Sequence, residues 1–348
     1  MDAAVTPLAR PGPVVCFGEI LVRLTAPDGE VLLQSPKLHV AIGGAEANAA
    51  VGLARLGDSA RMVSVVPDNP LGHAAVAELR RWGVDTRDVA TGAGRMGLYF
   101  VTPGAGPRAS EVTYDRAGSA FAGADPEGVD WDAALGGASW LHVSGVTPAI
   151  GPNGAAAARR AVAAANRLSV PVSFDGNYRA KLWAEWPGDG AAILRDLIAG
   201  ANLAFVNDQD LTLILGQRFE PPEPVERLRA AAGAAFAAFP RLQRIAATAR
   251  VRHEVGRQDL AGALFARNAP PLASRTYAVS AIVDRIGAGD AFAAGLLHGL
   301  LHGESDQAAL DFAVAAACAK HGIRGDFNLA TPEEIASILS GEVMDVRR

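Results

Sequence analysis

The sequence is poor in the residues that build several common kinds of functional site. Only two of its 348 residues are cysteine, Cys16 and Cys318, and they form no CxxC or Cys/His pattern. This usage argues against a disulfide framework and against structural zinc, and it fits a reducing cytoplasm. The lysines number three, Lys37, Lys181 and Lys320, and none completes a GxxxxGK[ST] loop, which excludes a P-loop kinase.

Other absences concern partners. The formal charge is −5, from 32 basic and 37 acidic residues, so no basic face that would attract nucleic acid is expected. Residues 1–13 carry three prolines and an early acid rather than a signal peptide, and no 18-residue apolar span follows. We therefore expect a cytoplasmic protein that binds neither nucleic acid nor membrane.

Two familiar kinds of site are also missing. No GxSxG motif is present, which removes the usual hydrolase elbow. The histidines are scattered without the spacing of a metal site, and we interpret each as a surface or packed residue: His39, His73, His142, His253, His298, His302 and His321.

What is present is a regular alternation of β-rich and helical runs. A strand-like run at 61–66 is followed by a helical run at 71–82 and by a second strand-like run at 139–143. This order predicts an α/β domain over 14–340, with a mostly parallel sheet covered by helices, between short tails at 1–13 and 341–348.

Two segments depart from this order, 22–42 and 95–118. Both alternate like exposed antiparallel strands, and the second is interrupted by glycines and prolines. We interpret them as one small sheet that forms a lid over an edge of the main sheet.

The strongest chemical signal is the run Asp284-Arg-Ile-Gly287-Ala288-Gly289-Asp290, between a strand-like run at 277–283 and a helical run at 291–301. A glycine-rich turn that opens a helix binds anions, because its free N–H groups and the helix dipole face the ligand. An aspartate there would repel phosphate, but it makes sense as the acceptor of a proton from an attacking hydroxyl. The alternative is that Asp290 only caps the helix.

A second signal is Gly43-Gly44-Ala-Glu46-Ala-Asn48, a diglycine that opens a helix closed by Gly57. The diglycine lets a ligand approach the backbone, and Asn48 offers both a donor and an acceptor to hydroxyl groups. A well-capped amphipathic helix without a ligand is the alternative.

The two signals, in this order and about 240 residues apart, resemble the two signatures of the ribokinase-like (PfkB) carbohydrate kinases, over nearly the whole chain. The resemblance implies a three-layer α/β/α fold with a mostly parallel sheet and a small β lid. It implies Asp290 as the catalytic base, the amides of Gly287, Ala288 and Gly289 as an anion hole, and ATP with Mg²⁺ as the phosphoryl donor. A monovalent cation such as K⁺ near the loop belongs to the same expectation, as does a homo-oligomer formed through the lid.

Several stretches are most similar to the branch of this family that phosphorylates 2-keto-3-deoxygluconate. Among them are Arg95-Met-Gly-Leu-Tyr99, Asp175-Gly-Asn-Tyr-Arg179 and Lys320-His-Gly-Ile-Arg-Gly-Asp326. Carried over by position, the substrate residues are Gly43, Gly44, Asn48, Tyr99, Tyr114, Arg116, Arg179 and Asp326. An arginine fork suits the carboxylate of a keto acid, which a neutral sugar lacks.

For the nucleotide, the resemblance implies Asn177, Asn207, Asp210, Thr248, Arg250, Gly287 and Gly289, with Asp210 meeting the metal through water. The chain departs from the family at three places. Asp210 replaces a Glu, no glycine follows Arg250 until Gly256, and Arg285 stands where many relatives have Thr. The arginine at position 285 is a variation associated with the keto-deoxygluconate branch. Two alternatives to a keto-deoxy acid kinase stay open: a kinase of a neutral sugar or nucleoside, and a silent sugar-sensing protein on the same fold, which the altered ATP strand suggests.

Overall fold

The β-rich runs form two sheets in the computed structural model, which describes residues 11–220 and 223–341. The tails predicted at 1–13 and 341–348 fall almost entirely outside these residues. The described strands are β1 Val14–Phe17, β2 Leu21–Thr25, β3 His39–Gly43, β4 Ala60–Pro67, β5 Asp85–Gly92, β6 Gly97–Thr102, β7 Glu111–Asp115, β8 Trp140–Ser144, β9 Val172–Asp175, β10 Leu203–Phe205, β11 Arg244–Glu254, β12 Arg257–Ala266, β13 Leu272–Ala273 and β14 Tyr277–Val279. The described helices are α1 Ala45–Arg55, α2 Pro70–Arg81, α3 Trp131–Leu135, α4 Val146–Ala149, α5 Pro152–Arg167, α6 Ala180–Trp183, α7 Gly190–Ala199, α8 Asp208–Leu215, α9 Pro224–Ala238, α10 Ala288–Leu301, α11 Asp306–Lys320 and α12 Pro332–Ser340.

The main sheet has the order β13-β12-β11-β10-β9-β8-β1-β4-β5, and β14 pairs with β12. Pairing is parallel from β11 to β5, whereas β12 lies antiparallel to β11. Strand β1 shows why both faces must be covered. Val15 and Phe17 enter one hydrophobic core with α5 and α7, while Val14 and Cys16 enter a second core with α1, α10 and α11. The predicted three-layer α/β/α fold is confirmed.

The lid is a separate four-stranded sheet of order β3-β2-β6-β7. The outer pairs are antiparallel, as predicted, but β2 and β6 pair in parallel. The reason is that β2 follows β1 and β6 follows β5, and these two strands run in the same direction through the main sheet. One lid face buries Leu21, Tyr99 and Val101, and Val40 stands 67% exposed.

The predicted elements near the glycine loop shift at their ends. The predicted strand 277–283 stops at Val279, because the amides of Val283 and Asp284 bond instead to the carbonyl oxygen of His321. Helix α10 begins at Ala288, three residues before its predicted start. In the part of the chain that the structure describes, we find no helix of the length and apolarity needed to cross a bilayer.

Candidate active site

An open cleft of about 1290 Å³ lies between the lid, the start of α1 and the carboxyl ends of the parallel strands. We call it the cleft. Its lining includes all the site residues predicted from the sequence except Gly43 and Ala288, which stand beside it: Gly44, Asn48, Tyr99, Tyr114, Arg116, Asn177, Arg179, Asn207, Asp210, Thr248, Arg250, Gly287, Gly289, Asp290 and Asp326. The two glycine motifs therefore meet in one place, although about 240 residues separate them.

The start of α10 is shaped to receive an anion. Gly287 is the N-cap in a left-handed conformation, with φ of 83°, and no side chain caps the first-turn amides. A Cβ on Gly287 would lie 1.9 Å from the carbonyl oxygen of Asp326, so only glycine fits. The uncapped N–H groups of this turn therefore face the cleft with the positive end of the helix dipole.

Asp290 lies in this first turn, and its carboxylate accepts a hydrogen bond of 2.7 Å from the Asn48 amide nitrogen. Desolvation raises the pKa of Asp290 to about 7, helped by the charges of Asp326 and Glu46 and opposed by the bond from Asn48. A carboxylate with a pKa near neutrality suits a general base. The Asn48 Oδ1 atom is buried and has no hydrogen-bond partner among residues 11–220 and 223–341, so it is free to accept a hydrogen bond from a ligand hydroxyl.

Glu46, in the same motif as Gly44 and Asn48, anchors the start of α1. It is buried, and its Oε1 accepts hydrogen bonds from the Ser144 amide at 2.9 Å, the Ser144 hydroxyl at 2.7 Å and the Thr147 hydroxyl at 2.7 Å. These bonds fasten the start of α1 to the end of β8. Gly44 has φ of 131°, and a Cβ there would lie 2.2 Å from the carbonyl oxygen of Glu19, so the chain bends into the helix only with glycine.

A buried arginine that the sequence did not single out ties the lid to the glycine loop. Arg23 of β2 donates to Asp326 at 3.0 Å and to Asp284 at 2.5 Å, and the Tyr99 hydroxyl donates to the other Asp326 oxygen. Asp284 also accepts from the amides of Ile286 and Gly325. Asp326, predicted to bind substrate, thus already holds two partners and positions the lid. Nothing in the alternating pattern of β2 distinguishes this arginine.

Lys320 lies behind the same loop. Its side chain is fully buried, and its ammonium donates to the Ile323 carbonyl oxygen at 2.8 Å. A Cβ on Gly287 would lie 3.3 Å from the Lys320 Cε atom, so this charge sits directly under the N-cap. Desolvation lowers the pKa of Lys320 to about 8, against the attraction of Asp284 and Asp326. No pattern in the sequence predicts this position for Lys320.

Four arginines line the opposite part of the cleft, and we call them the arginine cluster: Arg179, Arg250, Arg252 and Arg285. Desolvation, with the charges of Arg252, Arg179 and Arg285, lowers the pKa of Arg250. None of the four has a carboxylate within ion-pair distance among the described residues. Arg285 is held by Gln258 at 2.6 Å and by two carbonyl groups of the β11–β12 turn. Such a surplus of positive charge suits phosphate groups.

The two predicted substrate arginines differ in their partners. Arg116 is buried, and its Nε donates to Glu19 at 2.6 Å, so its charge is balanced within the protein. Within the described ranges, Arg179 donates only to the carbonyl of the preceding residue, Tyr178, at 3.3 Å, and it belongs to the arginine cluster. Arg179 is therefore the one that can still take an anionic partner.

Two carboxylates face the arginine cluster. Desolvation raises the pKa of Asp175 well above its usual value, and the charges of Asp290 and Asp210 add to this effect. The pKa of Asp210 is raised for the same first reason. Asp210 closes a capping box at α8, in which its Oδ2 accepts from the Asn207 amide at 3.0 Å. The shorter side chain at position 210 is thus suited to the cap and leaves one oxygen for the cleft.

The histidines require a correction. The prediction that none has metal-ligand spacing is wrong, because His298 and His302 lie one turn apart on α10 and at its end, and both contact Asp58. The i, i+4 spacing was visible in the sequence. The missing signal was Asp58, which is 240 residues away from His298 along the chain.

Comparison with known proteins identifies the family. The model of the pfkB family carbohydrate kinases matches residues 13–329. A 2-dehydro-3-deoxygalactonokinase of Haloferax volcanii is 30% identical over 94% of this chain and 96% of its own length. A 2-dehydro-3-deoxygluconokinase of Thermoproteus tenax is 29% identical over 94% of both chains. The crystal structure of a 2-dehydro-3-deoxygluconokinase from Thermotoga maritima superposes with a TM-score of 0.89 at 38% identity, covering 95% of this chain and 100% of that one.

The match and the geometry agree. The family model spans both glycine motifs, and the structure brings both to one cleft with a carboxylate at a helix N-terminus. The resemblance inferred from the sequence is thereby confirmed. This chain belongs to the pfkB family of carbohydrate kinases, which makes it a phosphotransferase that acts on a sugar hydroxyl.

Proposed function

We propose that this protein transfers the γ-phosphoryl group of ATP to the primary hydroxyl of 2-keto-3-deoxygluconate. The observation that carries the proposal is the composition of the cleft. Three of the residues that line it are Asp290, whose pKa is raised to about 7, Asn48, whose Oδ1 atom is free, and Arg179, which has no carboxylate partner among the described residues. The names of the relatives from Haloferax, Thermoproteus and Thermotoga support a keto-deoxy sugar acid as the substrate class.

The reaction assigns one task to each group. The substrate hydroxyl gives its proton to the Asp290 carboxylate while its oxygen forms a bond to the γ-phosphorus. The bond from that phosphorus to the bridging oxygen breaks, and ADP leaves. The amides of Gly287, Ala288 and Gly289 stabilise the charge that develops on the transferring group, and Arg250 neutralises the phosphates.

Arg179 and Arg116 hold the sugar carboxylate in this proposal, with the hydroxyls of Tyr99 and Tyr114 toward the keto and hydroxyl oxygens. Arg179 carries the larger share, since the Glu19 carboxylate already balances Arg116. An arginine binds a carboxylate well because its guanidinium fork donates two parallel hydrogen bonds.

The residues present also fit a magnesium ion. Asp175 and Asp210 both line the cleft, and neither has a Lys or Arg partner within ion-pair distance in the part of the chain that is described. Carboxylate oxygens and water are the ligands that Mg²⁺ prefers. When bound, the ion would neutralise phosphate charge. Asp210 would hold it through water, with the oxygen that the capping box leaves unused.

The test is ADP release by the purified protein with a panel of acceptors: 2-keto-3-deoxygluconate, its galacto epimer, gluconate, fructose, ribose and adenosine. We expect turnover on the two keto-deoxy acids alone, and the ratio of their kcat/KM values gives the epimer preference. Asp290→Asn, purified in parallel, controls for contaminating kinases. Turnover confined to a neutral acceptor would overturn the substrate assignment, and silence on all six would favour a sensing protein.

The proposal also covers the cellular compartment and the oligomeric state of the protein. The two free cysteines, one buried and one half-buried, support a reducing cytoplasm as the compartment. The exposed outer side of the lid, with Val40 at 67% and Leu33 at 72%, supports a homo-oligomer formed through the lid.

A further inference from the structure

A second cluster of ligand-type side chains lies outside the cleft, at the far ends of α1 and α10. Asp58 follows α1, and its Oδ2 lies 2.8 Å from His298 Nδ1 while its Oδ1 lies 2.9 Å from His302 Nε2. The two imidazole rings are 4.5 Å apart between centroids. One ligand atom from each of the three residues can be chosen so that all lie within 4.8 Å of one another.

The charge of Asp58 is not met by a permanent cation. Its side chain is only 9% exposed, and its ion-pair partners among the described residues are the two histidines, with no Lys or Arg within 4.0 Å. The carboxyl end of α10, where His298 lies, adds partial negative charge. Among the described residues, no Lys or Arg lies close enough to offset these negative charges, and a bound cation would do so.

The donor set indicates which cation would fit. Two imidazole nitrogens and one carboxylate oxygen are the ligands of Zn²⁺ and neighbouring first-row metals, whereas Mg²⁺ and Ca²⁺ prefer oxygen alone. His302 is 56% exposed, so an ion has a route from solvent and a water can complete its coordination. We propose that Asp58, His298 and His302 form a binding site for a divalent transition metal of the zinc class.

Small movements suffice to admit the ion. Bonds of about 2.0–2.1 Å in tetrahedral geometry place ligand atoms about 3.3 Å apart. The hydrogen-bonded pairs at 2.8 and 2.9 Å therefore need to open by about half an ångström, and the wider spacings, all within 4.8 Å, need to close toward the same value. Rotation of the exposed His302 side chain can provide this.

A metal at this site would link α1 and α10, the two helices that carry Asn48 and Asp290. α1 bears Asn48 near its start, and α10 bears Asp290 near its start, with 2.7 Å between their side-chain atoms. The metal would join the opposite ends of the same helices. A bound ion is therefore expected to stabilise the folded chain, because the three ligands come together only in the folded state.

The experiment is a Zn²⁺ titration of chelator-stripped protein without nucleotide, against a chromophoric competing chelator, with Co²⁺ absorption as a second readout. We expect one Zn²⁺ per chain and a rise in Tm of several degrees, about what saturating ligand provides. His302→Gln removes an exposed side chain and should fold normally; it is expected to weaken Zn²⁺ binding by at least about tenfold and to abolish the Tm shift. His298→Gln should do the same.

His73→Gln is the matched control. It breaks an isolated histidine–aspartate pair, His73 Nε2 to Asp68 at 2.9 Å, and should leave the Zn²⁺ affinity unchanged. Absence of stoichiometric binding to wild type would reduce the cluster to a hydrogen-bonded clasp and overturn the proposal. Binding that survives the double His298→Gln, His302→Gln variant would overturn it as well, since the ion would then lie elsewhere.

Discussion

The raised pKa of Asp290 depends on residues that are distant in the chain. Desolvation, Asp326 and Glu46 raise its pKa, while Asn48 and Arg179 lower it. The balance lies at about 7, so a substantial fraction of the carboxylate is ionised at neutral pH. A sequence motif identifies the residue, but the pKa depends on four neighbours that only the fold assembles.

Asp290→Asn removes the proton acceptor while keeping the shape of the side chain. We expect kcat to fall by about 10²–10⁴-fold, with the sugar Kd changed by less than about threefold. Steady-state kinetics and calorimetric sugar titration measure the two quantities, and Asp68→Asn, an exposed aspartate, is the control. Retained turnover would remove Asp290 as the base.

The same variant should be more stable than the wild type at high pH. The folded-state pKa of Asp290, about 7, exceeds its unfolded value of 3.8, so folded protein binds the proton more tightly and stability falls as pH rises between the two values. Above pH 7 the cost of the buried charge is fully present. We expect Asp290→Asn to raise the free energy of unfolding by about 1–3 kcal/mol at pH 8 and by little at pH 4, measured by urea unfolding. An equal change at both pH values would contradict the assignment.

The pH dependence of wild-type turnover follows from the same group. Protonated Asp290 cannot accept the hydroxyl proton, so kcat/KM should rise with pH and level off above an apparent pKa of about 7. A pH series of initial rates at saturating ATP measures it. A profile that is flat from pH 5 to 8 would show that the carboxylate is ionised throughout and that desolvation has little effect.

Arg179 can be assigned to sugar or to phosphate by kinetics. If it holds the sugar carboxylate, Arg179→Gln should raise the KM for the keto acid by about tenfold or more and reduce the preference for acidic over neutral acceptors. Arg250→Gln, in the same arginine cluster, is the comparison and should raise the KM for ATP alone. The reverse pattern would place Arg179 on the phosphates.

At the scale of elements, the apolar runs in the sequence predicted a strand or a helix well wherever local contacts determine where that element begins and ends. The predicted helix 71–82 and strand 139–143 are off by one residue at each end. The exceptions lie at the glycine loop, where His321 takes two amides from the predicted strand and Gly287 starts α10 early. At this loop, hydrogen bonds to a residue near the end of the chain override the local preference for a strand.

Lys320 lies beneath the glycine loop at Gly287, so its charge is expected to act on the start of α10 rather than on the substrate directly. Lys320→Met keeps the volume and removes the charge under Gly287, so we expect kcat to fall by about tenfold and the acid limb of the pH profile to move to higher pH, because Asp290 loses a nearby cation. A purely structural role would not move that limb. Lys37→Met, an exposed lysine of the lid segment, is the control.

At the scale of the whole molecule, the lid leaves an apolar surface that nothing in the described chain covers. Val31, Leu33 and Val40 are exposed on this small sheet and its loop. Pairing of two lids would bury them and would close the edge of β3.

Val40→Glu tests this pairing. We expect the wild type to be a dimer by light scattering at about 50 µM and the variant to be a monomer, since a charge in an apolar contact is costly. Val251→Glu alters a valine of similar exposure, 60%, on the main sheet and should leave the mass unchanged. A monomeric wild type would rule out the lid as an interface.

The sequence by itself determined the class of this protein. Its α/β alternation, the missing P-loop and the two glycine motifs depend on local patterns, which are readable without a fold because short-range sterics and periodicity dictate them. Only the tertiary structure decided the rest: that Arg23 joins the lid to Asp284 and Asp326, that Lys320 lies under Gly287, and that Asp58 contacts two histidines. The physical reason is that buried charges depend on partners hundreds of residues away, and no local pattern encodes such distances.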